Sequence, residues 1–163
     1  MLIEAPLGNL GPATGPDADN SDVDWLDLTW SECLQRALRR TTRGGVHVKI
    51  LAKLGVRLRH RDVLRWALGD SPTIAVNVLP AELLIARSSD PLAIARLCYE
   101  MGNLHFPVQI QDNCILTPAD GPIEALMDRL GVSYETTHAR FEPTLAAPAV
   151  ALAQDFRVDV ARG

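Results

Sequence analysis

Cys98-Tyr99-Glu100-Met101-Gly102-Asn103-Leu104-His105-Phe106-Pro107-Val108-Gln109-Ile110 carries the change of period on which the fold turns. Ahead of its turn, Ile94, Leu97, Cys98 and Met101 recur at i, i+3, i+4 and i+7, the apolar stripe of an amphipathic helix. Asp90-Pro91 supplies the start: a carboxylate at the N-cap, then proline where no backbone donor is needed. Gly102 is expected as the left-handed residue just past the helix end. Phe106, Val108 and Ile110 then alternate with His105, Pro107, Gln109 and Gln111, which is strand period. That parity puts His105 on the polar face, opposite a core-facing Phe106. A histidine there is accessible and held by its neighbours. Its neutral imidazole suits a metal ion or general-base work, and the bland alternative is an ordinary surface side chain.

Pro80 marks a plausible boundary. Beyond it the expected order is strand (Glu82 to Ala86), helix (Pro91 to Met101), strand (Phe106 to Gln111), strand (Cys114 to Thr117), helix (Pro122 to Leu130) and strand (Ser133 to Phe141). Asp112-Asn113 reads as a tight turn. Ile123, Leu126, Met127 and Leu130 repeat the helical stripe, and Gly131 stops it. This βαββαβ order is the ferredoxin-like arrangement, with helices on one face of an antiparallel sheet and the other face free for a partner or ligand. After Pro143 the chain is rich in Ala and Pro, a tail (residues 144–163) expected to order only if it docks.

Residues 1–78 read as mostly β. Met1 to Leu10 holds a first short strand, and Gly11 to Ser21, rich in Gly, Pro, Asp and Asn, is a loop. Leu34 to Arg40 reads as a short helix from its own pattern. Gly44-Gly45 is a turn, after which Val46, Val48 and Ile50 alternate with His47 and Lys49. Gly69-Asp70-Ser71-Pro72 is another turn, and Thr73 to Val78 is β-branched and strand-like. The fold class expected is α+β: an all-β domain over 1–78, then a ferredoxin-like domain over 79–143.

At 163 residues the chain suits one medium domain or two small ones. No apolar run reaches the roughly 18 residues of a membrane span. The start lacks the basic region and long apolar segment of a signal peptide, so a cytoplasmic protein is expected. Cys33, Cys98 and Cys114 are odd in number and far apart, which favours buried thiols over disulfides or a structural zinc site. Charge is uneven. Acidic residues alone precede Leu34 (Glu4, Asp17, Asp19, Asp22, Asp24, Asp27, Glu32), whereas ten Arg and Lys face only Asp62 between Arg36 and Arg65. Without interleaved aromatics the basic stretch does not suit single-stranded nucleic acid. A solvated face, partly neutralised by the acidic segment, or a dock for an acidic protein, fits better.

Gly102-Asn103-Leu104-His105-Phe106-Pro107-Val108-Gln109-Ile110 resembles the Gly-Asn-Arg-His-x-Pro-x-Gln-Ile signature of the urease accessory metallochaperones of the UreE type. Asp90 to Arg96, Thr41-Thr42-Arg43-Gly44-Gly45 and Phe141-Glu142-Pro143 are similar to that family too, so the likeness runs from about Leu28 to Pro143. It implies that His105 binds nickel at the interface of a homodimer. It implies delivery of the metal to an activation complex that includes a GTPase accessory protein and apo-urease. It also implies a strand near Leu34 to Arg40. Leu104 departs from the usual arginine, which puts a local charge contact in doubt. The further histidines that many relatives carry, near Thr117 to Gly121 and in the tail, are missing here, which argues against nickel storage.

The remaining chemistry is thin. No two of His47, His60, His105 and His138 lie three or four residues apart, so no single element makes a metal clamp. His47 reads as a surface strand residue. His60, between Arg59 and Arg61, is disfavoured for protonation and for metal. His138 is a second-choice ligand. Cys98 and Cys114 read as inert core thiols, and no phosphate loop or nucleophile elbow is present. The expectation is a nickel-binding accessory protein and not an enzyme, with zinc or copper able to compete at such a nitrogen site. The alternative is a protein-interaction or assembly module without a metal duty.

Overall fold

A computed structural model describes residues 1–12, 22–111 and 114–144 of the chain. The strands are β1 (Leu2–Ile3), β2 (Gly8–Asn9), β3 (Val23–Leu28), β4 (Ala37–Thr41), β5 (His47–Leu51), β6 (Asp62–Arg65), β7 (Thr73–Val78), β8 (Ala81–Arg87), β9 (Gln109–Gln111), β10 (Cys114–Pro118) and β11 (Ser133–Ala139). The helices are α1 (Pro91–Asn103) and α2 (Gly121–Leu130), with a 3-10 turn at Glu32–Leu34. The fold is mixed α+β, mostly strand.

Two sheets share the first core. In the order β1-β5-β4, Ile3, Leu38, Val48 and Ile50 point inward; in the order β2-β6-β7-β3, Leu26, Leu28, Leu64, Ile74, Val76 and Val78 meet them. Strand alternation explains the selection: His47, Lys49 and Leu51 of β5 are exposed, and Val48 and Ile50 between them are buried. A buried carboxylate ties the two sheets together. Asp24 of β3 accepts the Thr42 hydroxyl at 2.6 Å and the Gly44 amide at 2.7 Å. The Thr42 hydroxyl in turn accepts the Val46 amide at 2.9 Å. A Cβ at Gly44 would lie 2.8 Å from the Asp24 carboxylate, so the turn after β4 admits only glycine at this contact without displacement.

The second core belongs to the sheet ordered β11-β8-β10-β9, in which every pair is antiparallel. Leu84, Ala86 and Ile115 face α1 and α2 and pack with Leu97, Met101, Ile123, Leu126 and Met127. Leu83 and Leu116, one residue out of phase, face the opposite way onto Phe141. Phe141 meets Trp30 edge-on, with centroids 5.2 Å apart, and so joins this face to the first core. Polar contacts line the same seam. The His60 amide donates to Glu142 at 3.1 Å, Arg140 Nε donates to the Val78 carbonyl at 3.2 Å, and Arg57 donates to the Pro143 carbonyl.

Several expectations need correction. Leu34 to Arg40 is not a helix. Its spacing of Leu34, Ala37 and Leu38 mimics a helical stripe, but Leu38 is buried opposite Ile50 in the β4–β5 ladder, and tertiary pairing overrides the local pattern. The strand implied there by the family resemblance is present as β4. The stretch Met1 to Leu10 yields two two-residue strands on either side of a bend at Glu4-Ala5. β3 carries no expectation of its own from sequence, because Asp24 and Asp27 hid the apolar Trp25, Leu26 and Leu28. The strand expected from Phe106 begins only at Gln109. The expectations for residues 13–21, for the Asp112-Asn113 turn and for the tail beyond Thr144 fall outside the described residues, although Gln111 and Cys114 pair on either side of the turn.

Leu97 is fully buried beneath α1. Leu97→Ala is expected to cost ~2–5 kcal/mol through the cavity it leaves, measured by urea unfolding; a loss below ~0.5 kcal/mol would show that this helix face is not core. His60 gives a pH signature. Burial first, then the Arg140 and Arg61 cations, hold its imidazole below the ordinary histidine value. As pH falls through about 6.5, the unfolded chain takes up a proton that the folded chain refuses. Stability is therefore lost on acidification below that value and is unaffected above it. His60→Asn keeps an acceptor for the Val78 amide, which reaches His60 Nδ1 at 3.3 Å, and should flatten the thermal-midpoint profile between pH 7 and about 5. An unchanged slope in that variant would assign the acid sensitivity to other groups.

Candidate metal-binding site

The end of α1 builds the site. Asp90 caps its start, accepting the Leu92 amide at 2.9 Å, with proline at the first turn. The helix then runs through Gly102 to Asn103, two residues beyond the expected end. Leu104 is the C-cap, and the left-handed residue after it is His105, at φ 54°, not Gly102. The His105 amide donates to the Gly102 carbonyl at 3.1 Å, and the Phe106 amide donates to the Met101 carbonyl at 2.9 Å. This pair of bonds is the Schellman arrangement, which satisfies carbonyls that a helix end leaves open. Phe106, packed with Met101 in the second core, supplies the apolar contact that accompanies it.

His105 is therefore not a residue on the polar face of a strand. It occupies a helix-terminating turn, with its main chain held by the two turn hydrogen bonds and its side chain exposed. Non-glycine residues rarely adopt this conformation, though histidine is among those enriched there. The partial negative charge of the helix C-terminus favours a cation close to it. Tyr99, in the penultimate turn of the helix, and the C-cap Leu104 are 68% and 58% exposed.

The other histidines are kept apart by the fold. His47 is exposed on β5, with Nδ1 3.0 Å from the Thr41 hydroxyl. His60 lies in the seam against Trp25, with ring centroids 6.3 Å apart. His138 is exposed on β11 opposite Glu82. Among the described residues no three His, Cys, Asp or Glu side chains gather into a set able to hold a metal. Cys33 is buried, and desolvation followed by the nearby Glu142, Glu32 and Asp62 charges pushes its thiol up to about 12. Burial also raises the Cys98 thiol. Both are poor nucleophiles.

The basic stretch is partly neutralised by the acidic one before it. Arg43 grips Asp27 through Nε at 3.0 Å and Nη2 at 2.9 Å, Arg40 reaches Glu32, and Lys53 lies 3.6 Å from Glu4. Burial raises the Asp27 carboxyl, but hydrogen bonds from Arg43 and Asn77 outweigh it and leave the group below the ordinary carboxylate range. Among the described residues no helix is long and apolar enough to cross a membrane.

Fold and site together define a small α+β protein that presents one histidine from a rigid helix end. Comparison with known proteins names the family. The family described as "UreE urease accessory protein, C-terminal domain" matches residues 81–155. A urease accessory protein UreE of Lysinibacillus sphaericus is 31% identical over 142 residues, covering 87% of this chain and 93% of the relative. Relatives of the same name from Flavobacterium johnsoniae and Actinobacillus pleuropneumoniae are 33% and 32% identical, covering 76% and 90% of this chain and 74% and 78% of their own lengths. The chain belongs to the UreE family of urease accessory proteins. It is an accessory protein, not an enzyme.

The backbone at His105 provides a test that separates stability from binding. His105→Gly should stabilise the fold by ~0.5–1 kcal/mol, the left-handed strain relieved less the extra unfolded-state freedom of glycine. His105→Ala keeps the strain and should leave stability within ~0.5 kcal/mol of the parent. Chemical denaturation of the three proteins compares them directly, and a destabilised glycine variant would contradict the turn geometry.

Proposed function

We propose that the protein is a nickel metallochaperone for urease maturation, with His105 as the metal ligand. The observation that carries this reading is the fixed, exposed imidazole at the C-terminal end of α1, within the stretch that resembles the family's histidine signature. One imidazole holds a divalent ion weakly. A twofold axis through an isologous interface doubles the donors without adding residues. The exposed Leu104, next to His105 in the chain, and the exposed Tyr99 of the same helix would supply apolar surface for such a homodimer. Water, or His138, would complete the coordination. A sparse site of this kind releases its cargo readily, which delivery requires.

The proposed division of labour follows the two cores. Residues 1–78 form a β domain that docks partners, and the uncompensated part of its basic stretch suits an acidic surface. Residues 79–143 form the metal-binding and dimerisation domain. The strand order β11-β8-β10-β9, with helices on one face, supports a ferredoxin-like description of it. The partners would be apo-urease and the activation complex with its GTPase, in the cytoplasm. Copper(II) binds nitrogen sites more tightly than nickel, and zinc competes, so selectivity would rest on supply and on the partner. A protein-interaction module without metal remains the second reading, favoured by the absence of a three-ligand cluster among the described residues of one chain.

Calorimetric titration beside analytical sedimentation distinguishes the two. The expected result is one tightly bound nickel per two chains, with self-association strengthened by the metal. His105→Ala should abolish this site, and His47→Ala and His60→Ala should leave it. One nickel per chain on a strict monomer, or wild-type affinity in His105→Ala, would sink the shared-histidine site; no retained metal at all would favour the interaction module.

A further inference from the structure

Far from His105 in the fold, β4 has a bare edge, and its bonds to β5 show which residues line it. The Ala52 amide donates to the Arg36 carbonyl at 2.7 Å, and the Thr42 amide donates to the Val46 carbonyl at 3.0 Å; both pairs lie in the register of the β4–β5 ladder. Alternation assigns Leu38 and Arg40 to β5 as well, and turns the main-chain groups of Ala37, Arg39 and Thr41 the other way. This outward set ends at Arg43, whose amide is taken by the Trp25 carbonyl at 2.9 Å. β5 is paired on both sides, by β4 and β1, whereas β4 has no second neighbour among the described residues. There the amides of Ala37, Arg39 and Thr41 meet no acceptor, and the Arg39 carbonyl takes only the Arg40 Nη1 at 2.9 Å.

The side chains of those three residues lie on the outer face of the sheet, beside His47, Lys49 and Leu51 of β5, and all six are exposed. They form cross-strand rows. Ala37 opposite Leu51 is apolar. Thr41 opposite His47 is polar, with 3.0 Å between the hydroxyl and Nδ1. Between these rows Arg39 stands opposite Lys49. Like charges directly opposite each other destabilise a sheet. Arg40, Arg43 and Lys53 each have a carboxylate, but neither Arg39 nor Lys49 has an ion-pair partner among the described residues. A carboxylate brought to this row relieves a repulsion that the fold leaves in place.

We propose that the edge of β4 binds an extended acidic segment of a partner protein, added as an antiparallel strand with a Glu or Asp opposite Arg39. The site rests on the reading of residues 1–78 as a partner-docking domain and narrows that docking to one strand. In such an addition the main-chain bonds give affinity, and alternate side chains give specificity. Residues opposite Thr41, Arg39 and Ala37 turn their side chains to the outer face. The segment therefore reads polar-x-acidic-x-apolar from its N-terminal end. Its carboxylate meets the Arg39 guanidinium, and Lys49, one strand spacing of about 5 Å further on, is within reach of the same group. Charge decides against a second copy of this chain as occupant, because full antiparallel overlap would set two Arg39 side chains against each other.

The probe is a fluorescein-labelled peptide, Gly-Thr-Val-Glu-Val-Leu-Gly, titrated with the metal-free full chain and followed by anisotropy. In the proposed register the amide of its glutamate bonds to Arg39, and the amides of both valines point to solvent. N-methylation of the glutamate should weaken binding about tenfold, and N-methylation of the second valine should leave it within about twofold. Arg39→Glu should weaken binding about tenfold and shift the preference to a peptide with lysine in place of glutamate. Arg59→Glu makes the same charge change on an exposed arginine outside this sheet and should stay within about twofold. Lys49→Glu supplies the missing carboxylate from within, so it should raise the thermal midpoint while weakening the peptide about tenfold; it replaces Arg39→Glu should that variant fail to fold. No binding of the acidic peptide, equal losses from both N-methylations or from Arg39→Glu and Arg59→Glu, or an oligothymidylate that competes equally well would overturn the proposal. Sedimentation with purified apo-urease judges the docking reading separately. Binding that survives Arg39→Glu keeps a docking domain and removes this site, whereas a chain that takes the peptide at this edge but not apo-urease keeps the site and removes that reading.

Discussion

Two hydrogen bonds at the end of α1 govern the half of the molecule that carries the site. The amides of His105 and Phe106 turn back onto the carbonyls of Gly102 and Met101, and the chain reverses at once toward the sheet. Without that reversal Phe106 and Val108 would not lie against the helix they follow, and β9 would have no path to the edge of β10. The turn demands a left-handed residue at position 105. A histidine there costs about 1–2 kcal/mol of backbone strain relative to glycine. Burial of Phe106 beside Met101 is of the size to offset it, since a largely buried phenylalanine contributes about 1.5–3 kcal/mol.

A different logic joins the two cores. Trp30 and Phe141 meet edge-on, and around them run bonds in which each half supplies both donors and acceptors. Glu142 accepts from the first half, while Arg140 donates to it. His60 stacks on Trp25 within this seam and takes the Val78 amide on Nδ1, which requires a neutral ring. The stretch Phe141-Glu142-Pro143, noticed first as a resemblance, is thus the part of the chain that clasps the halves together before it turns to β9. The stretch Thr42 to Gly44 has a comparable physical reason: the Asp24 carboxylate needs a hydroxyl and a bare amide at bonding distance, and only glycine leaves room for the second.

Elements whose boundaries are set by local chemistry were legible in the sequence. Asp90-Pro91 marked the start of α1, Gly131 at φ 66° marked the end of α2, and the β-branched run of Thr73 to Val78 is β7 to the residue. Elements decided by partners were not. Leu34 to Arg40 carries a helical stripe that loses to pairing with β5, and β3 hides a buried aspartate within an acidic segment. The stretch Gly102 to His105 failed for a subtler reason. Two residues compete for one left-handed position, and glycine is the better local choice, but only ending the helix at Asn103 lets Phe106 reach Met101. Parity counted from the wrong start then put His105 on a strand. Its exposure was read correctly and its backbone was not. Its candidacy as a metal ligand came from the family signature, since spacing alone favoured an ordinary surface histidine.

The strain at His105 bears on how a metal would be held. Histidines that bind metal firmly usually donate their second ring nitrogen to a carboxylate or carbonyl, which fixes the ring and raises its basicity. Two other histidine rings are held by a hydrogen bond at Nδ1: His47 by the Thr41 hydroxyl, and His60 by the Val78 amide, which it accepts. At position 105 the order lies in the main chain instead, through the two turn bonds, while the side chain stays in solvent. A fixed Cα would lower the entropy lost when two such imidazoles meet one ion, and the exposed ring rehydrates readily when the ion leaves. In the proposed shared site, affinity would depend on the second copy more than on the surroundings of the first histidine. Under that proposal, loading and unloading would be governed by assembly, and metal transfer would be coupled to a partner able to remodel the interface without unfolding either chain.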